Sequence, residues 1–316
     1  MLIQIRTNDQ DKADKRPKGD TLFSRCREPT MLMNQVLIYG RLIKFSHTVF
    51  ALPFALAAVL LAHREYPVGV STLWWILLAM ASARSAAMGF NRFADYEYDR
   101  RNPRTANRPL VAGQIGKRSV LIFILISSVL FVFSGAMLGR LCLMLSVPVL
   151  LVLFLYSYTK RFTSLSHLVL GFAIGLAPAG AWIACTGGWD VRILPLSLAL
   201  MSYIAGFDIL YACQDIEFDR KERLFSMPAC LGVERALRIS SVLHIFTFLF
   251  LISLYFFFHL GLVYLVFLFV ISVLLALEHK LVQPHRLETV NFAFFHINSA
   301  VSLLLFLGVL LDTWTT

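Results

Sequence analysis

Charge is scarce in this chain: Asp, Glu, Lys and Arg make up 15% of its 316 residues, hydrophobic side chains 58%, and the mean hydropathy is +0.71. An ordinary soluble domain, with about a quarter of its residues charged, is excluded. Cysteine is also thin. Cys26, Cys142, Cys185, Cys213 and Cys230 have neither metal-like nor redox-like spacing, so they read as packing residues. The long apolar runs lack dyad alternation, which excludes a membrane β-barrel. Residues 1–30 mix seven basic with five acidic side chains and contain no apolar core of the kind a signal peptide needs. A polar, disordered cytoplasmic extension over 1–33 is expected, followed by a transmembrane domain over 34–316, with Met31 and Met33 as alternative starts.

What the chain has instead is a series of apolar stretches long enough to cross a hydrocarbon core, which takes roughly 20 helical residues. Nine are expected, over approximately 45–62, 71–90, 119–138, 141–158, 168–186, 191–213, 237–258, 260–278 and 293–311. The fold class is therefore all-α, an integral membrane bundle. Basic residues support the count independently. With the N-terminus inside, the cytoplasmic loops 91–118, 160–167, 214–238 and 279–292 hold seven, two, five and two Lys or Arg, against Arg64, Arg140 and Arg192 on the other side. Much of the formal charge of +10 is topology signal, which also attracts anionic lipid or a diphosphate to that face, and no nucleic-acid partner is implied.

Acidic residues are few, yet they repeat. Asp95-Tyr-Glu-Tyr-Asp99-Arg100 returns as Asp215-Ile-Glu-Phe-Asp219-Arg220, and Arg108-Pro109 with Gly113 is matched 119 residues on by Met227-Pro228 with Gly232. Duplication of a helical unit explains the echo. Spacing by four puts Asn91, Asp95 and Asp99 on one helical stripe, and Asp208, Tyr211, Asp215 and Asp219 follow a similar pattern. Pro103 should stop the first stripe near Arg101. Two carboxylate pairs facing each other across a cavity repel unless cations intervene, and Mg2+ suits a few carboxylates completed by water and phosphate. Solvated salt bridges would explain one isolated pair, but hardly two matched copies on one membrane face.

Arg104 and Arg108 after the first motif and Lys221 after the second are diphosphate-binding candidates, and Tyr156-Ser-Tyr-Thr-Lys160-Arg161 adds Lys160 with Tyr156 one turn before it. Arg100, Arg161 and Arg223 read as positive-inside anchors. Arg84 lies within the second span, where a charge must face a cavity. Arg41, Lys44 and His47 follow at intervals of three, with snorkelling to the interface a sufficient account of Lys44.

These motifs resemble the intramembrane aromatic prenyltransferases of the UbiA superfamily. Asn91-x-x-x-Asp95-x-x-x-Asp99 followed by Arg104-Thr105-x-x-Arg108-Pro109-Leu110 is similar to that family's first signature, Tyr211-x-x-x-Asp215-x-x-x-Asp219 with Ser226-x-Pro228 to its second, and Tyr156-x-x-x-Lys160 to a shorter third. The resemblance runs from about Arg41 to the last span. It implies nine spans around a cavity open to lipid, and two Mg2+ ions held by Asn91, Asp95, Asp99, Asp215 and Asp219 on an isoprenyl diphosphate. It further implies transfer of the isoprenyl group to an aromatic carboxylic acid in quinone synthesis, in a bacterial cell membrane. Lys160, Tyr156, Asp208 and Tyr211 are then the catalytic candidates, the tyrosine faces stabilising an allylic cation. Arg41 and Arg84 are candidates for the acid's carboxylate, which needs a cation in a low-dielectric cavity. Arg92 departs from the pattern, since many relatives carry an acidic residue there. The acceptor is thus 4-hydroxybenzoate or, as the close competitor, 1,4-dihydroxy-6-naphthoate. A transporter would place its site in broken helices near the midplane, not at one face. Phosphatidyl transfer would want an Asp-Gly that these motifs lack.

Overall fold

The computed structural model describes residues 31–44, 50–282 and 293–315, with the side chains of 31–34, Val36, Ala293 and Phe294 left aside. The expected extension through Thr30, together with Cys26 and His47, lies outside the described residues. The chain divides after Leu37, and Ile38–Thr316 form one compact unit. Thirteen helices are described: α1 Met31–Leu42, α2 Leu52–His63, α3 Val70–Ala94, α4 Tyr96–Arg101, α5 Lys117–Leu138, α6 Arg140–Thr159, α7 Ser166–Thr186, α8 Leu194–Ala212, α9 Ile216–Lys221, α10 Met227–Leu231, α11 Val233–Phe257, α12 Leu262–Leu281 and α13 Asn298–Thr315. No strand occurs among the described residues.

Eight of these stretches are long and apolar enough to cross a bilayer: α3, α5, α6, α7, α8 with its continuation to Lys221, α11, α12, and Phe295–Thr315 containing α13. About nine were expected, and among the described residues the difference lies at α2. The stretch expected over 45–62 is described as helix only from Leu52 to His63, 12 residues long. At 1.5 Å per residue that reaches about 18 Å, short of a hydrocarbon core of about 30 Å. Pro53 explains why α2 begins where it does, since its fixed φ suits the first turn and it has no N–H to leave unpaired.

The bundle is built around α8, whose apolar stretch is 72% buried against 28% for those of α3, α5, α11 and α12. Helices α7 and α11 pack on it, α3 packs on α5, and α12 on α13. Glycine makes the α7–α8 approach possible: a Cβ on Gly175 would lie 2.9 Å from Ser197 O and from Met201 Cβ, and one on Gly171 would strike Met201 O. Trp182, Tyr203, Tyr264 and Phe54 fill the centre of the largest core. The opposite pattern marks the lipid side, where Ile122, Leu125, Val129 and Phe133 of α5 and Met144, Val147 and Leu151 of α6 are exposed along one stripe each.

Polar groups inside the bundle are paired across helices. Tyr203 OH donates to Asn298 Oδ1 at 2.8 Å, and Asn298 Nδ2 donates to Glu278 Oε1 at 3.1 Å, which joins α8, α13 and α12. Asp312 of α13 accepts from the N–H groups of Gly261 at 2.7 Å and Tyr264 at 3.0 Å, satisfying donors at the start of α12 that have no partner within the helix. Away from the acidic motifs, Arg192 grips both oxygens of Glu65, at 2.6 and 2.8 Å, and Asp190 at 2.7 Å, tying the end of α2 to the α7–α8 loop.

Candidate active site

The duplication persists down to backbone angles. Helix α3 ends at Ala94, Asp95 turns out with φ −90° and ψ 7°, and α4 resumes. In the second copy α8 ends at Ala212, a 3₁₀ turn covers Cys213–Asp215, and Asp215 has φ −107° and ψ 9° before α9. Each motif is therefore two helices broken at its first aspartate, not one continuous helix. The stripe survives in the first copy because the hydrogen bonds Asp95 N to Asn91 O and Asp99 N to Asp95 O, at 2.9 and 2.8 Å, span the break. Asn102 is extended, as Pro103 requires, and ends α4. Gly113 and Gly232 both take positive φ, +71° and +81°.

The two motifs face a common polar chamber of about 270 Å³, lined by Asn91, Asp95 and Asp99 from one copy and by Asp208, Tyr211, Asp215 and Asp219 from the other. Tyr156, Lys160, Arg84, Arg104 and Arg108 line it too, whereas Arg41 and Lys221 are exposed and do not. Asp95, Asp99 and Asp219 are almost fully buried.

Three of these carboxylates hold guanidinium groups. Arg108 Nη1 donates to both oxygens of Asp99 at 2.5 Å. Arg104 reaches across the duplication, with Nε donating to Asp215 Oδ1 at 2.8 Å, Nη2 to Asp215 Oδ2, and Nη1 to Tyr211 OH at 2.7 Å. Burial opposes the Arg104 charge, and Asp215 with Tyr211 more than offsets it, leaving its pKa above the ordinary value. Asn102 Nδ2 also donates to Asp215 Oδ1, at 3.2 Å. Arg161, read from sequence as an anchor, instead braces the first motif. Its Nη2 donates to Ala94 O at 2.7 Å and to Asp95 Oδ1 at 3.4 Å, and its guanidinium lies 4.6 Å from the Tyr158 ring centroid. Asn91 Nδ2 donates to Asp95 Oδ2 at 3.1 Å.

Lys160 is positioned by its backbone, its carbonyl accepting from Phe225 N–H at 2.7 Å, which ties the end of α6 to the second motif's loop. Asp208 is held differently from the other acids. His167 Nε2 accepts from Met227 N–H at 3.4 Å, which leaves the proton on Nδ1 to be donated to Asp208 Oδ2 at 2.7 Å. His167, Asn102 and Lys44 line the chamber, yet none was identified as a site residue. Lys44 turns into the chamber. It occupies a turn after α1 at φ +48°, a conformation costing a non-glycine residue about 1–2 kcal/mol. Burial first, and then the charges of Arg92, Arg108, Arg104 and Arg84, pull its pKa down to about 7.

A second, apolar cavity of about 450 Å³ adjoins the chamber, and Arg84, Met88, Tyr156, Leu170 and Ile174 line both. Its walls are kept wide by Ala79, Ala83 and Ala87 on α3 and by Ala173, Ala177 and Gly180 on α7. At the waist, Arg84 Nη2 donates to the carbonyls of Lys44 at 3.0 Å and Ile43 at 3.4 Å.

Among the described residues, no three carboxylates, imidazoles or thiols are gathered closely enough to hold a metal ion as they stand. The donor set nonetheless fits a hard divalent cation, since Asn91, Asp95, Asp99, Asp215 and Asp219 present only oxygen ligands around one chamber. Their present guanidinium partners would have to give way, and Arg104 and Arg108 would then be free for phosphate oxygens.

Comparison with known proteins agrees with this architecture. The chain is 32% identical over 234 residues to a 4-hydroxybenzoate octaprenyltransferase of Pseudoalteromonas translucida, covering 74% of this chain and 79% of that protein. A UbiA homolog from Aeropyrum pernix K1, solved in its apo form, superposes with a TM-score of 0.77 at 31% identity, covering 84% of this chain and 98% of that one. A UbiA homolog from Archaeoglobus fulgidus bound to GPP and Mg2+ shares the fold, with a TM-score of 0.59 at 19% identity over 85% of this chain and 99% of the other. The profile of the UbiA prenyltransferase family matches residues 51–300, and this chain belongs to that family.

Proposed function

We propose that this prenyltransferase moves a polyprenyl group from an isoprenyl diphosphate to a ring carbon of an aromatic carboxylic acid, in the synthesis of ubiquinone or menaquinone. The observation that carries the reading is the pair of connected cavities. One is rich in carboxylates and cations, the other apolar, and Tyr156 and Arg84 stand where they meet. A diphosphate with a long isoprenyl tail has that same division of chemistry.

Asn91, Asp95, Asp99, Asp215 and Asp219 would hold Mg2+, which when bound neutralises diphosphate charge and favours its departure. Arg104 and Arg108, once released from Asp215 and Asp99, and Lys160 supply positive charge toward the leaving oxygens. As the carbon–oxygen bond breaks, the Tyr156 and Tyr211 rings face the electron-poor allylic carbon. The apolar chamber excludes water from that carbon, so that the aromatic ring, not hydroxide, attacks. Asp208, held by His167, is the chamber carboxylate left to accept the ring proton.

Among acceptors, 4-hydroxybenzoate is favoured over 1,4-dihydroxy-6-naphthoate, with support from the names of the relatives. The acidic motifs are assigned to the cytoplasmic side of a bacterial cell membrane, with support from the basic loops that flank them. Purified protein in lipid, given Mg2+, one labelled isoprenyl diphosphate and both acids in parallel, should attach label to 4-hydroxybenzoate. A clear preference for the naphthoate replaces the acceptor and keeps the mechanism, while no product from either acid sinks the quinone-pathway reading.

A further inference from the structure

The cations lining the polar chamber are of two kinds. Arg104 and Arg108 each hold a carboxylate, and Lys160 stands in the field of Asp219. Arg84 is turned to the backbone of Ile43 and Lys44. Arg92 makes no such contact, although it stands in the field of Asp99 and Asp95, which are held by Arg108 and Arg161. It lies in the last turn of α3, lines the chamber, and is 6% exposed. Among the described residues its hydrogen bond is to a neutral amide, Nη1 to Asn91 Oδ1 at 3.3 Å, and it makes no ion pair within 4.0 Å. A guanidinium taken out of water needs an anion, and an amide oxygen at that distance does not replace one. Lys44 concentrates the effect, because Arg92 is the charged residue that opposes its protonation most. One wall of the chamber therefore carries Arg92 and Lys44 with no carboxylate in ion-pair contact with either, Asp99 and Asp95 being held by Arg108 and Arg161.

We propose that Arg92 is the acceptor-selecting residue of this enzyme. Its planar fork takes the carboxylate of the aromatic acid, Lys44 stands beside it, and Arg84 positions the Ile43–Lys44 segment instead of touching the acceptor. The inference rests on the reading of the acceptor as an aromatic acid and adds which residue recognises it. Arg41 is displaced from that role by its exposed position, and Arg84, with Nη2 committed to the Lys44 and Ile43 carbonyls and Nε buried without a partner, is the residue the test must separate from Arg92. A guanidinium suits a carboxylate because two parallel N–H groups meet two oxygens. An uncharged ring of the same shape would leave Arg92 buried and unmatched, so the site should reject it strongly.

The test compares each aromatic acid with the same phenol lacking the carboxylate, that is, 4-hydroxybenzoate with phenol and 1,4-dihydroxy-6-naphthoate with 1,4-dihydroxynaphthalene. Full-length wild type, Arg92→Gln, Arg92→Lys and Arg84→Gln are assayed with Mg2+ and one isoprenyl diphosphate. The readout is the ratio of kcat/KM for acid over phenol. Wild type should favour the acid it uses by about 100-fold or more. In Arg92→Gln that preference should fall at least tenfold through the acceptor KM, with the donor KM unchanged within threefold. Arg92→Lys should keep part of the preference and carries the comparison if the glutamine variant fails to insert. Arg84→Gln should slow both acceptors alike and keep the ratio. An unchanged ratio in the Arg92 variants, a collapse in Arg84→Gln instead, or a rise confined to the donor KM overturns the inference alone. A wild type that prenylates neither acid overturns the inference together with the reading beneath it.

Discussion

At the residue scale, the aspartates of the two motifs stand between two sets of partners. Asp99 and Asp215 now hold Arg108 and Arg104, and in the proposed reaction they would exchange these for Mg2+ while the arginines turn to the diphosphate. Asp99→Asn and Asp215→Asn keep the shape of the side chain and remove the charge, so each should lower turnover by about 100-fold or more, as loss of a charge-stabilising group does. Radiometric assay of inserted protein checks this, and near-normal turnover in both variants would refute the metal assignment. Lys44 makes a separate prediction. With a pKa near 7 it is mostly neutral at pH 8 and charged at pH 5. A multivalent anion favours the charged form, so pyrophosphate binding at pH 8 should draw up to about one proton from solution, and at pH 5 almost none from this group. Titration calorimetry in buffers of different ionisation enthalpy measures that uptake. Lys44→Met should abolish the pH 8 component, and if it does not, Lys44 is not the group that titrates.

At the element scale, polar clamps between helices add to the apolar packing that fixes the bundle. Asp312 is one, accepting from two N–H groups at the start of α12. Asp312→Ala should cost about 1–2 kcal/mol, the usual loss of a capping side chain, seen as lower thermal stability in detergent with prenyl transfer retained. A variant as stable as wild type would show that water caps α12 equally well. The Arg192 clamp carries a pH signature. Arg192 holds the carboxyls of Glu65 and Asp190 below their ordinary values, the hydrogen bond to Arg192 being the largest cause for each. Groups depressed in this way stabilise the fold above their unfolded pKa, and that contribution disappears as pH falls through the folded pKa. Because the groups are partly exposed and screened by solvent, the contribution is within about 1 kcal/mol. Wild type should therefore exceed Arg192→Gln in thermal stability by a small, constant margin from pH 8 to pH 5, and the two should converge below pH 4. A margin that grows toward low pH would contradict the assignment.

How far the sequence anticipates the molecule depends on the range of the contacts involved. The helical class, eight of the spans and the C-terminal end of α4 were legible because apolar length and the geometry before Pro103 act locally. The acidic positions were legible for the same reason, spacing by four being a property of one helix. The shortness of α2 was not, because hydropathy over 45–62 does not reveal where helical geometry starts. Nor were the pairings across the duplication. Arg104 and Asp215 are 111 residues apart, and Arg101 and Glu222, bonded at 2.6 Å, are 121 apart. His167 gave no signal, since nothing in its neighbourhood points to an acid 41 residues later on another helix. Lys44 looked like a snorkelling cation because the turn that folds it inward leaves no mark in local hydropathy.

At the scale of the whole molecule, the two cavities make a prediction that no single residue contains. The polar chamber is lined by both copies of the duplicated motif, whereas the apolar one lies chiefly among α3, α6 and α7, with α3 and α7 meeting it through alanine and glycine. If that apolar space holds the isoprenyl tail, its volume limits chain length without touching the chemistry. Ala83 lies on its wall within a small cluster with Ala87, Leu153 and Ala173. Ala83→Phe places a benzyl group in that space, so long donors should lose affinity while a one- or two-unit isoprenyl diphosphate remains a substrate. We expect kcat/KM for a long-chain donor to fall at least tenfold and that for a short donor to change less than threefold, with inhibition by pyrophosphate unaltered because the polar chamber is intact. Competing donors of different length in one reaction, followed by chromatographic sizing of the products, reads the shift directly. An equal loss for all lengths would mean that the substitution disturbs the waist at Arg84 and Tyr156, and would argue against the apolar chamber as the seat of the tail.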